Sequence, residues 1–223
     1  MNKLYGLIPL FGALLFYTPL AGAQQAFDLN VGFGTAHAPA NNSGLENASS
    51  SNAFGSCTVS SADPTCSKLP ALNGFFLGFG GDLMLYKHFG VGANMTLQPG
   101  TSDYGPLSYR QTFYDFDGIF RPVSNKRFAL QLEGGLGGAR TSFSFSQSAC
   151  VGTAVCTTQA QSVGNASHFQ IHTGVGLQVF LNDHWFIKPE FDYHYVPNLT
   201  QQFGSNSVPA AMVWVGYSFG DRQ

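Results

Sequence analysis

The chain has 223 residues, 14% of them aromatic and only 10% charged, against roughly a quarter charged in an ordinary soluble domain. Such a composition excludes intrinsic disorder, which needs many charges and few aromatics. A net charge of −2, from ten basic and twelve acidic residues, leaves no basic surplus for nucleic acid.

Met1-Asn2-Lys3, an apolar run from Leu4 to Tyr17 and Ala21-Gly22-Ala23 form the pattern of a secretory signal peptide over residues 1–23. Removing it leaves one domain, 24–223, with nine basic against twelve acidic residues. No later stretch is long and apolar enough for a spanning helix. Instead, a period of two in β-rich residues recurs eight times. The segments lie near 27–34, 75–85, 89–98, 111–120, 128–137, 168–179, 185–195 and 213–219. In the first, Phe27, Leu29, Val31 and Phe33 alternate with Asp28, Asn30, Gly32 and Gly34. In the seventh, Trp185, Ile187, Phe191, Tyr193 and Tyr195 alternate with Lys188, Glu190, Asp192 and His194, and Pro189 predicts a bulge or a missing ladder bond.

The connectors alternate too. Residues around 35–70, 99–108, 143–167 and 197–208 read as long loops, whereas 86–88, 122–127 and 182–184 read as tight turns. The polar face is mostly Gly, Asn, Gln, Ser, Thr and His with scattered carboxylates, which suits a cramped interior. Bulky Leu, Val and Phe on the other face suit lipid, with aromatics near the strand ends. These features predict an all-β fold, an eight-stranded antiparallel up-and-down transmembrane β-barrel with both mature termini on the short-turn, periplasmic side. A secreted soluble barrel is the competing reading.

On this pattern the chain resembles the eight-stranded OmpA/OmpX-type outer-membrane β-barrel family over nearly all of residues 24–223. The most local likeness is Val213-Trp214-Val215-Gly216-Tyr217-Ser218-Phe219, similar to the aromatic-ended last strand read by the barrel-assembly machinery, although four residues follow Phe219. The resemblance implies residence in a Gram-negative-type outer membrane and contact with its lipid.

Cys57, Cys66, Cys150 and Cys156 all fall in the longer loops, and four cysteines allow three pairings. Short separations favour Cys57–Cys66 and Cys150–Cys156, as staples within each loop. The polar-face ionisable residues Asp28, Asp82, Asp115, Asp117, Glu133, Lys188, Glu190 and Asp192, with Arg121, are expected to form a lumenal polar network. Asp115 or Asp117 is expected to face Glu133, and close carboxylates can also serve as an acid/base pair. Pairing about the 182–184 turn sets His172 opposite His194 with Asp192 nearby, a set that can bind a transition metal or act as hydrogen-bond partners. Gly134-Gly135-Leu136-Gly137-Gly138 leads into no helix, so it reads as a site of strand curvature rather than phosphate binding.

No catalytic, cofactor or metal residues are assigned. Eight strands imply a filled interior. The function expected is therefore a non-enzymatic surface protein, acting in envelope integrity or binding an extracellular ligand at its loops. An outer-membrane enzyme acting on lipid A or surface polypeptides, or a narrow porin-like pore, are the alternatives.

Overall fold

The structure is a computed structural model that describes residues 26–40, 43–46, 56–58, 66–104, 107–151 and 155–220. The signal-peptide reading and the side chains of Cys150 and Cys156 lie outside what it describes. Eight strands form the wall: β1 Ala26–Ala36, β2 Phe75–Met84, β3 Phe89–Leu97, β4 Leu107–Ser124, β5 Phe128–Val151, β6 Val155–Phe180, β7 Trp185–Tyr195 and β8 Ser207–Phe219. Each pairs antiparallel with its neighbours in sequence. The ring closes between β1 and β8, from Phe27↔Phe219 to Ala36↔Ala210. Closure leaves no sheet edge around the wall, so its backbone groups find partners without water.

The alternation in the sequence becomes two faces. Phe27, Leu29, Val31 and Phe33 point outward, while Asp28 and Asn30 are buried inside. The two tryptophans show the contrast: Trp185 is 48% exposed on the outer wall and Trp214 is 1% exposed in the lumen. In vesicles with brominated acyl chains, a Trp214→Phe variant should keep an emission that the bromine quenches. A Trp185→Phe variant should emit without quenching. The reverse pattern would mean that the oily face had been misassigned.

Two of the tight turns share one device. The Asn125 side-chain oxygen accepts from the backbone N–H groups of Arg127 and Phe128 at 2.8 and 3.0 Å. Asn182 does the same for His184 and Trp185 at 2.9 and 2.8 Å. A short amide that mimics a backbone turn explains why asparagine opens both.

The prolines behave differently from one another. The β6–β7 register runs to Gly176↔Glu190 and resumes at Val179↔Ile187 without a shift, so Pro189 interrupts the ladder but makes no bulge. The bulge falls instead between Phe120 and Val123 in β4, around Pro122. There Arg121 turns into the lumen while its N–H donates to the His88 carbonyl at 2.8 Å.

The long connectors are more ordered than their composition suggests. Residues 143–167, expected as a loop, continue β5 and β6 as an antiparallel ribbon up to Val155↔Val151. In the first connector, Ser43–Glu46 pairs on one side with Ser56–Thr58 and on the other with Cys66–Lys68. A Cys57–Cys66 disulfide joins the two outer strands of that small sheet, with a Cα–Cα distance of 5.9 Å. Cys150 and Cys156 sit opposite each other in the backbone register.

Candidate functional site

The lumen is built in two layers. Nearest the short turns, the inward bulge of β4 delivers Arg121, whose Nη2 lies 2.8 Å from an Asp28 oxygen and 3.5 Å from Asp82. Its Nε donates to the Gln131 side-chain oxygen at 2.8 Å. The Gln131 amide in turn donates to Asp82 and Glu133, both at 2.9 Å. Gln178 donates to Asp28 at 3.2 Å. Lys188, on β7, sits among Glu190 at 2.5 Å, Glu133 at 3.0 Å and Asp82 at 3.9 Å. The Trp214 indole N–H donates to the other oxygen of Glu190 at 2.8 Å. Lys188 Nζ also lies 5.8 Å from the indole centroid, within cation–π range.

Further from the short turns, His172 is opposite His194, and both of its ring nitrogens face carboxylates. Nδ1 is 2.9 Å from Asp117 and Nε2 is 3.2 Å from Asp192. A ring protonated on both nitrogens satisfies both contacts. His194 is stacked between His172 and Phe113, with centroids 4.8 and 4.7 Å apart. Gln170 donates to Asp115.

Every ionisable residue assigned to the polar face thus lies inside the barrel. The expected carboxylate pair does not form. Glu133 stands opposite Ile119, and Asp117 stands opposite Gly135, because the bulge around Pro122 sets a register that the turn alone does not reveal. Glu133 bonds Lys188 and Gln131, whereas Asp117 bonds His172. Among the described residues no group of three His, Cys, Asp or Glu side chains has metal-binding geometry.

The second layer is one that sequence reading missed. Towards the loops the lumen becomes apolar: Phe76, Phe113, Tyr109, Leu72, Leu199, Phe203, Met212 and Trp214 pack into one cluster. Phe203, brought in behind the short 3-10 turn Leu199–Gln201, meets Tyr104 and Tyr109 edge-on at 5.8 and 5.2 Å. The Tyr104 hydroxyl donates to the Gln202 carbonyl at 2.5 Å. Burial, with Tyr109 beside it, holds that hydroxyl above its ordinary pKa, so it stays a neutral donor. A signal for this cap was present, since Phe76, Phe113 and Trp214 occupy inward positions of their strands. A cavity of about 10 Å³ between the layers, beside His194 and Trp214, has room for about one water. The arrangement is a filled core rather than a channel.

The family model for the outer membrane protein beta-barrel domain matches residues 9–219. No curated protein matches the chain. Among solved structures it is similar to Neisserial surface protein A, with 8% identity, TM-score 0.49, and 86% of this chain and 95% of that one covered. It is also similar to Ail, the attachment invasion locus protein of Yersinia pestis, solved with the heparin analogue sucrose octasulfate. There the identity is 13%, the TM-score 0.48 and the coverage 88% and 99%. The outer membrane protein OprG of Pseudomonas aeruginosa gives 16%, 0.46, and 90% and 98%. With a family model spanning nearly its whole length, this chain belongs to the outer-membrane β-barrel family.

Proposed function

We propose that the protein is a non-enzymatic surface-interaction protein, its loop side facing outward, its termini in the periplasm and residues 1–23 removed on export. The last strand, ending in Phe219, would be read by the barrel-assembly machinery. The observation that carries the reading is the β5–β6 ribbon. Its strands run 24 and 26 residues, where roughly 9–11 suffice to cross the hydrocarbon. β6 is last paired with β7 at Ile171, so from Val155 to Gln170 its far edge has no ladder partner among the described residues. An open edge of backbone donors and acceptors is a surface on which an extended segment of another protein can add as a strand. Residues 141–181 contain no Asp, Glu, Lys or Arg to discourage such pairing.

Several features support a binding rather than a catalytic or conducting role. The rim histidines are held by amides or carbonyls: His37 by Asn73 at 2.5 Å, His168 by Gln202 at 2.9 Å, His88 by the Arg121 carbonyl at 2.7 Å. The Cys57–Cys66 bond, and a second bond proposed between Cys150 and Cys156, would hold loop structures in place for a partner.

Replacing residues 146–160 by Gly-Gly should abolish attachment of cells to host protein-coated surfaces while heat-modifiable migration of the barrel persists. Attachment unchanged by the deletion would refute the reading. In planar bilayers the intact protein should give no steady conductance, and an ohmic pore would favour transport instead. Lipid A extracted from expressing cells should keep its mass; a changed mass would indicate an enzyme.

A further inference from the structure

The outward-facing positions of the eight strands are almost free of charge. Among the described residues they carry two charged side chains, Arg110 on β4 and Arg140 on β5, both exposed. The two strands are adjacent, with Arg110 opposite Ser142 and Thr112 opposite Arg140. The arginines are therefore diagonal neighbours on one face, with Cα atoms about 7–8 Å apart, a span that long side chains bridge.

Their height matters as much as their proximity. Arg110 is ten residues along β4 from the girdle residue Phe120, and Arg140 is eight along β5 from Leu132, which pairs with Phe120. At about 3.3 Å per residue and a tilt of about 40°, both lie about 20–25 Å up the wall. That is the far edge of an apolar band about 25 Å tall, the level of lipid headgroups. Arginine on the lipid face is costly at the midplane and nearly neutral near an interface, so this is the level at which the wall tolerates the pair.

Among the described residues neither arginine has a carboxylate within ion-pair distance, although Asp103 is placed opposite Ser108 on the neighbouring short strand. The Arg110 Nε donates to the Gly100 carbonyl at 3.4 Å, which leaves its terminal nitrogens for another acceptor. Below the pair, the Tyr114 ring lies over Gly138, where an added Cβ would stand 2.2 Å from the hydroxyl. The hydroxyl residues Thr112 and Ser142 sit across the ladder from the arginines. Two planar guanidinium forks at headgroup height match phosphate oxygens. Flanking hydroxyl groups match sugar.

We propose that Arg110 and Arg140 form a site on the outer wall for the phosphorylated headgroup of the outer-leaflet glycolipid. The site rests on the outward orientation of the loops proposed above. That orientation is checked separately, by labelling a Gln201→Cys variant on whole cells with a membrane-impermeant thiol reagent.

The test places the mature protein in phosphatidylcholine nanodiscs. Retention of added lipid A is followed by native mass spectrometry, and the arginine Nε–H signals by NMR. Lipid A should be retained and should shift the signals of both arginines. Arg110→Gln and Arg140→Gln should each weaken retention about tenfold, and Arg→Lys variants less. Heat-modifiable migration should persist in all of them. The proposal is overturned if the double Gln variant retains lipid A like the wild type. Equal retention of dephosphorylated lipid A would show acyl-chain binding only. Equal shifts with inorganic phosphate, or equal retention of phosphatidylglycerol, would show a general anion site.

Discussion

Replacing Lys188 by Met is expected to lower the unfolding free energy by about 3–5 kcal/mol, the usual effect of stripping one partner from a buried ionic cluster. Lys188 is 1% exposed and is the cation shared by Glu133, Glu190 and Asp82. Without it, three carboxylates face one another in a space that water reaches poorly, with Arg121, 3.5 Å from Asp82, still near. Truncating the cation should therefore cost far more than the net worth of the ion pairs. A triple variant, Lys188→Met with Glu133→Gln and Glu190→Gln, should recover most of the loss, because neutral amides carry no uncompensated charge. Urea titration of the barrel in phospholipid vesicles, followed by heat-modifiable migration, measures both. A loss below about 1 kcal/mol for Lys188→Met would mean that the cluster is hydrated and that the lumen is not packed.

Gly137→Val is expected to prevent assembly of the barrel. A Cβ at Gly137 would lie 1.9 Å from the Tyr114 carbonyl oxygen and 2.9 Å from its carbonyl carbon, both backbone atoms of the adjacent strand. Gly135 is similar, with the Phe116 carbonyl oxygen 2.0 Å from the added atom. A flexible side chain could turn aside, but a paired backbone cannot. β4 and β5 would have to part, breaking the ladder where Asp115↔Gly137 and Asp117↔Gly135 now pair. The effect should exceed the 1–3 kcal/mol usual for overpacking a core. Gly118→Ala, on the outer face of β4, is the control: its nearest neighbour, the Gly134 carbonyl oxygen, is 3.6 Å away. That variant should fold, whereas Gly137→Val should show no heat-modifiable species. Normal folding of Gly137→Val would mean that the two strands do not approach so closely.

These two residues also show what sequence reading could and could not reach. The glycine run 134–138 was legible as a place of strand curvature, and Lys188 as a lumenal cation, since side chains in a strand alternate strictly between faces. The eight strands and their facing were legible on the same ground. The ribbon at the far ends of β5 and β6 was not, because past Phe145 its hydroxyl-rich residues show no sustained apolar alternation. They read instead as loop. The aromatic cap was missed because alternation tells inside from outside but says nothing of depth: Phe113 and Asp117 share a face, yet one stacks on His194 and the other bonds His172.

The sequence by itself determined a closed, lipid-facing barrel with carboxylates and histidines within, because burial in hydrocarbon selects side chains one position at a time. Which carboxylate meets which cation was decided only when the ring closed. Arg121 reaches Asp28 across 93 residues, and Gln178 reaches the same oxygen across 150. Those meetings depend on the combined register of all eight strands and on the one-residue bulge beside Pro122. A shift of one residue in any ladder would turn an inward side chain outward. Such long-range geometry is a property of the closed cylinder, and no local stretch of the chain encodes it.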